Sequence, residues 1–251
     1  STDDARSASR VKPYVMKSVD RGRSWTPITG DLPENGPTYT IVEDPVDRDL
    51  LFVGTEFGVF FSRDAKRWVQ LKGGLPTIAV RDIAIQEREG DLVLGTFGRG
   101  FYILDDYSLL RGLDEKRLES DAFLHTPRKA LAYVERSDLG LPGKGFFGET
   151  FYTAANPPFG ANFTYYLKDA LKTKKKVRQS AEKDLGKEKK DVLYPTWDAL
   201  RSEAAEEEPM LWLTIRDADG NLVRRIAGST EAGIHRANWD LRYPTSTPPS
   251  F

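Results

Sequence analysis

Two adjacent carboxylates, Asp105 and Asp106, and two imidazoles, His125 and His235, are the first groups in this chain whose types invite a catalytic reading. Paired carboxylates can divide acid and base duties at a glycosidic bond. Against that use, Asp105 falls where Asp64 falls in an earlier copy of the same run, which assigns it a structural role. Two histidines exclude a three-histidine metal site within the chain, and no H-E-x-x-H, G-x-S-x-G or G-x-x-x-x-G-K-[ST] pattern occurs. Zero cysteines remove disulfides, thiolate zinc sites, iron–sulfur clusters and cysteine nucleophiles. Each histidine therefore reads as a satisfied strand or loop residue. No cofactor, no metal and no complete catalytic constellation is implied.

Charge and length narrow the class further. The 251 residues carry 37 basic and 38 acidic side chains, a formal charge of -1, which excludes a polycation that coats nucleic acid. The Lys174-Lys175-Lys176 run lacks the interleaved aromatics that stack bases, so it reads as a solvated face and not as a nucleic-acid contact. No stretch approaches the apolar length of a membrane span, and the first residues lack a signal-peptide layout. Length alone allows one large domain or two ordinary ones. The first residue is Ser, so the chain is expected to be processed or a piece of something longer.

The chain repeats itself. Leu51-Phe-Val-Gly-Thr-Glu-Phe-Gly-Val-Phe-Phe-Ser-Arg-Asp64 recurs as Leu92-Val-Leu-Gly-Thr-Phe-Gly-Arg-Gly-Phe-Tyr-Ile-Leu-Asp-Asp106, and Trp25 and the run Gly30-Asp-Leu-Pro33 recur as Trp68 and Gly73-Gly-Leu-Pro76. Each unit holds short β-branched and aromatic runs at Tyr39, Leu50, Gly58, Val80, Asp91 and Phe101, separated by Gly, Pro and Asp. A period a little over forty residues built from short strands is that of a β-propeller blade.

Ser18-Val-Asp20-Arg-Gly22-Arg-Ser-Trp25 fits S-x-D-x-G-x-x-W at every fixed position, and Ser62-Arg-Asp64-Ala-Lys66-Arg-Trp68 is a degenerate copy one residue short. In such a turn the Asp carboxylate accepts backbone N–H groups, Gly supplies a positive φ, and Trp packs between neighbouring sheets. On these motifs the chain resembles the BNR or Asp-box propellers: sialidases, xyloglucanase-type glycosidases and the sortilin ectodomain. The resemblance implies that each box joins the third to the fourth strand of a blade, opposite the ligand face. That face would carry Asn35, Tyr39, Arg81 and Asp82, then Glu56 and Arg99. Arg81 and Arg99 can clamp a carboxylate, while Glu56 and Asp82 can bond sugar hydroxyls; the competing reading is a salt-bridge network between sheets. Two blades do not close a propeller ring, so the rest are expected to lie in a larger parent protein.

Beyond Tyr107 a connector at 108–160 contains the breaking runs Leu139–Gly145 and Asn156–Gly160. Strands are expected at Ala161–Leu167, Leu211–Arg216, Leu222–Ile226 and Gly233–Asp240, with Asp217-Ala-Asp-Gly220 as a hairpin turn. Their order resembles an Ig-like module of the flagellar hook-cap protein. An insertion at 168–209 reads as a basic helix followed by an acidic one, capped by Thr196 and held side by side.

The expected architecture is all-β: a tail at 1–10, about two Asp-box blades of a partial propeller at 11–107, the connector, and an incomplete Ig-like sandwich at 161–251 with its helical hairpin. The resemblance implies an exported bacterial binding or scaffold module for a peptide or glycan, completed by the remaining blades of its parent. Its alternative is part of a glycoside hydrolase whose catalytic residues lie upstream.

Overall fold

Apolar runs at Thr38–Glu43 (β3), Leu51–Thr55 (β4), Gly58–Ser62 (β5) and Val69–Leu71 (β6) pair in chain order as one antiparallel four-stranded sheet. The computed structural model that shows this describes residues 12–134, 136 and 154–244. The tail at 1–10, the run Leu139–Gly145 and the chain end at Pro248–Phe251 lie outside the described residues. Contacts divide the chain into two units, Ser1–Asp114 and Glu115–Phe251.

In the first unit a short hairpin, Met16–Lys17 (β1) with Thr26–Pro27 (β2), precedes the four-stranded sheet. A three-stranded sheet of Val80–Gln86 (β7), Asp91–Thr96 (β8) and Phe101–Leu104 (β9) follows it. Every residue of β5 is buried because the four-stranded sheet is covered on both faces, which is why the run reads as almost unbroken apolar sequence. On one face Phe52, Val59 and Phe61 meet Ile83, Leu92 and Leu94. On the other, Val53, Phe60 and Trp68 meet Val15 and Leu32. Gly54 allows the second sheet to come close: a Cβ there would stand 2.6 Å from the Val80 carbonyl oxygen.

After β9 the chain leaves the sheet through a 3-10 turn at Ser108–Gly112. Tyr107 donates its hydroxyl to Asp44 over 2.6 Å, and Arg111 reaches the same carboxylate at 3.0 Å. Asp44 also accepts the Val46 and Asp47 N–H groups, so this fully buried carboxylate has its lone pairs occupied. The segment is thereby fastened beneath the turn that follows β3.

The second unit opens with a short helix at Glu115–Glu119 (α1) and a strand at Ala122–Leu124 (β10). β10 pairs with Ala161–Leu167 (β11), which pairs with Gly233–Trp239 (β14), all antiparallel. Helices Lys174–Lys187 (α2) and Trp197–Ala204 (α3) come between, followed by the hairpin Leu211–Arg216 (β12) and Leu222–Gly228 (β13). Asp217 makes the hairpin turn by accepting the Asp219 and Asn221 N–H groups, and Gly220 takes φ +86°. Thr173 and Thr196 cap the two helices. Arg178 of α2 grips Glu203 of α3 at 2.7 and 2.8 Å, and Lys176 meets Glu208 at 2.9 Å, so opposite charges hold the helices together. The chain is thus mostly β, in several small antiparallel sheets, and these form no closed barrel among the described residues. No described helix is long and apolar enough to cross a membrane.

Candidate functional site

Tyr39 and Arg81 occupy matching irregularities in matching strands. The pairing of β3 with β4 slips between Thr38 and Thr40, and that of β7 with β8 between Val80 and Asp82. Each slip leaves one residue without a cross-strand partner, and a bulge of this kind re-aims the side chain it carries. The two re-aimed side chains meet: the Arg81 guanidinium lies 3.8 Å from the centre of the Tyr39 ring and 5.2 Å from that of Phe97. Both belong to strands and not to the loops where the resemblance places them.

Two turns complete the surface. Glu56 and Phe57 form the tight turn from β4 to β5, and Glu56 accepts the Tyr39 hydroxyl proton. This hydrogen bond, with burial and the negative charge of Glu56, raises the Tyr39 phenol above its ordinary range against the pull of Arg81. Gly36, at φ +90°, lets the preceding loop lie on that turn, because a Cβ would fall 2.8 Å from Glu56 Cβ and 2.9 Å from the Phe57 ring. Asn35, beside it, is exposed and makes no hydrogen bond among the described residues. Phe97 and Arg99 sit in the turn from β8 to β9, both exposed.

The expected salt bridges between sheets do not form here. Arg81 is exposed and makes no ion pair among the described residues, and neither does Arg99. Asp82 turns its carboxylate to the Ile83 N–H at 3.0 Å. The surface therefore offers a guanidinium held between two aromatic faces with no carboxylate satisfying it. Such a group receives an anion bidentately while the rings accept an apolar or sugar face.

The Asp64 turn lies at the end of β5 opposite the Glu56–Phe57 turn, and the Asp20 turn joins β1 to β2. Asp20 accepts the Ser24 N–H at 2.8 Å and the Ser24 hydroxyl at 2.7 Å, and Ser18 bonds both Asp20 and the Gly22 N–H. These hydrogen bonds, led by that of the Ser24 N–H, hold Asp20 down to about 2. In the second turn Asp64 accepts the Arg67 and Lys66 N–H groups and the Ser62 hydroxyl, which lower it likewise. Lacking the glycine, this turn is shorter and places Ala65 at φ +55°. The two tryptophans differ from expectation in one respect. Trp68 is 7% exposed in the core beside β6, whereas Trp25 is 59% exposed, with its indole resting 3.7 Å from where a Gly22 side chain would begin.

No family description, curated protein or solved structure matches this chain.

Sequence reasoning missed the Asp44, Tyr107 and Arg111 cluster, whose members are 63 and 67 residues from Asp44 in sequence. Asp44-Pro45 was the available signal, an acidic residue opening a turn. It also misaligned the acidic pair. The two-residue turn after β4 becomes three residues, Phe97–Arg99, after β8, so Asp106 and not Asp105 occupies the position of Asp64. Asp106 bonds the Ser108 N–H and hydroxyl, which makes it a turn former. No group of three or more His, Asp or Glu residues among the described ones is placed to hold a metal ion.

Proposed function

We propose that β1–β9 are successive blades of an Asp-box β-propeller, and that the Tyr39–Arg81–Phe97 surface binds an anionic glycan or peptide without chemistry of its own. The meander order of β3–β6, the Asp64 turn between its third and fourth strands, the matching Asp20 turn between β1 and β2, and the stacking of the second sheet on the first all support the blade reading. The remaining blades would belong to the parent protein, and the second unit would serve as an Ig-like spacer. The observation that carries the binding reading is Arg81: an exposed guanidinium, stacked between Tyr39 and Phe97 and lacking an ion pair.

A glycan and peptide array probed with the protein and with Arg81→Ala and Arg99→Ala tests this. Loss of one charged clamp should weaken binding at least about tenfold. Hits confined to acidic ligands and lost in Arg81→Ala are expected. Hits that survive Arg81→Ala, or an array without hits, would end the proposal for this surface. Turnover of a bound glycan would replace binding with hydrolysis.

A further inference from the structure

Trp68 sits in a socket made by Val15, Ile28, Leu32, Leu51, Val53 and Phe60. Strand register carries each of these onto a residue one repeat later. Phe60 faces Val53 in the first sheet as Tyr102 faces Leu94 in the second, so Leu51 becomes Leu92. β1 pairs with β2 as β5 pairs with β6, so Val15 becomes Val59 and Ile28 becomes Leu71, while Leu32 becomes Leu75 by the Leu-Pro repeat. All six later residues line one cavity of about 150 Å³. The residue that would fill it is missing. Where the first repeat continues into Trp68 and β6, the second turns away at Asp106, which accepts the Ser108 N–H, and Tyr107 donates its hydroxyl to Asp44.

The adjoining edge is open as well. The first sheet has four strands and the second has three, so β9 has no neighbour on its outer side among the described residues. The Thr96 N–H bonds the Gly100 carbonyl, and in an antiparallel pair hydrogen-bonded and non-bonded positions alternate. The N–H and C=O of Phe101 and Ile103 therefore point outward. In the first sheet their counterparts, Val59 and Phe61, face Leu71 and Val69 of β6. Lys72 stands at the cavity rim with no ion pair among the described residues, which favours an acidic neighbour.

We infer that this groove docks an extended strand of another polypeptide, because all five tryptophans of this chain lie in its described segments; the strand pairs with β9 and places a tryptophan in the empty socket. Its chemistry is that of β6: tryptophan, then apolar residues at the first and third following positions, with an acidic residue near Lys72. The inference stands on the repeat alone, and neither the Arg81 surface nor its ligand enters it.

The test is a dye-labelled peptide copying Lys66–Lys72 with Glu in place of Lys66, the end that the register brings beside Lys72, titrated into the full chain and read by fluorescence anisotropy. Saturable binding is expected, weakened at least about tenfold when the peptide's Trp is replaced by Ala. N-methylation at the peptide's Val69 or Leu71 should abolish binding, and at Gln70 should leave it, because only the former point N–H groups at β9. Gly73→Trp, whose new side chain starts in open space at the groove, should block the peptide while thermal unfolding stays unchanged. Absence of binding near ~1 mM peptide, or equal binding by the Trp-to-Ala peptide, would overturn the inference. So would unaltered binding to Gly73→Trp.

Discussion

Burial pushes Asp44 upward, yet hydrogen bonds from Tyr107, the Asp47 N–H, Arg111 and the Val46 N–H outweigh it and hold the carboxyl below its ordinary value. The same contact, with burial as the larger cause, raises the Tyr107 phenol to about 12. An unfolded phenol ionises near ~10, so between these values the folded protein holds a proton that the unfolded chain has released. Stability from Tyr107 is therefore complete below about pH 10 and declines as pH rises toward about 12. A two-unit displacement corresponds to about 2–3 kcal/mol. Denaturant midpoints measured across this alkaline window should fall more steeply for the native chain than for Tyr107→Phe. Parallel curves would show that the buried phenol contributes nothing to alkaline unfolding.

Strand elements place two glycines identically, yet they bear different loads. Gly54 and Gly95 hold the same register in β4 and β8, but only Gly54 has a sheet stacked against it. A Cβ at Gly54 would lie 2.6 Å from Val80 O and 2.7 Å from Thr40 Cγ2, while at Gly95 the nearest atom is 3.5 Å away. Gly54→Ala should cost about 1–3 kcal/mol by forcing the sheets apart. Gly95→Ala should be neutral or gain up to about 1 kcal/mol, as alanine replaces glycine inside a strand. Equal effects in urea denaturation would refute the close approach of β7. The longer strands were legible in the sequence because turn residues bracket them: Asp217 and Gly220 around the β12–β13 turn, and Gly58 after Glu56–Phe57. The helical hairpin was legible from its charges and from Thr196, the cap of its second helix, while the Thr173 cap of the first was not read. Bulges at Tyr39 and Arg81 were not, since each falls at the second residue of its strand, before any alternation has been established for a slip to break. β1, β2, β6 and β10 were hidden because two or three residues carry no period of their own. The socket beside β9 was invisible for another reason: its lining residues are ordinary core types, and only register reveals that their filler is gone.

At the scale of the whole molecule, the repeat states which surface of the second sheet is unlike a finished exterior. Val42, Phe52 and Phe61 lie in one row across β3, β4 and β5 and face the second sheet. The corresponding row across β7, β8 and β9 is Ala84, Val93 and Ile103, with Phe101 beside it. Here Ile103 is 60% and Phe101 80% exposed, where Phe61 and Val59 are 7% and 0%. A contiguous apolar row on a sheet face favours association over solvation. Ile103→Lys should therefore lower binding of a hydrophobic dye and reduce concentration-dependent light scattering. Because the lysine enters solvent and no core, the unfolding free energy should stay within about 0.5 kcal/mol of the native chain. A loss of several kcal/mol would mean that Ile103 is packed in solution, and that a further layer already covers the face whose repeat equivalent the chain buries itself.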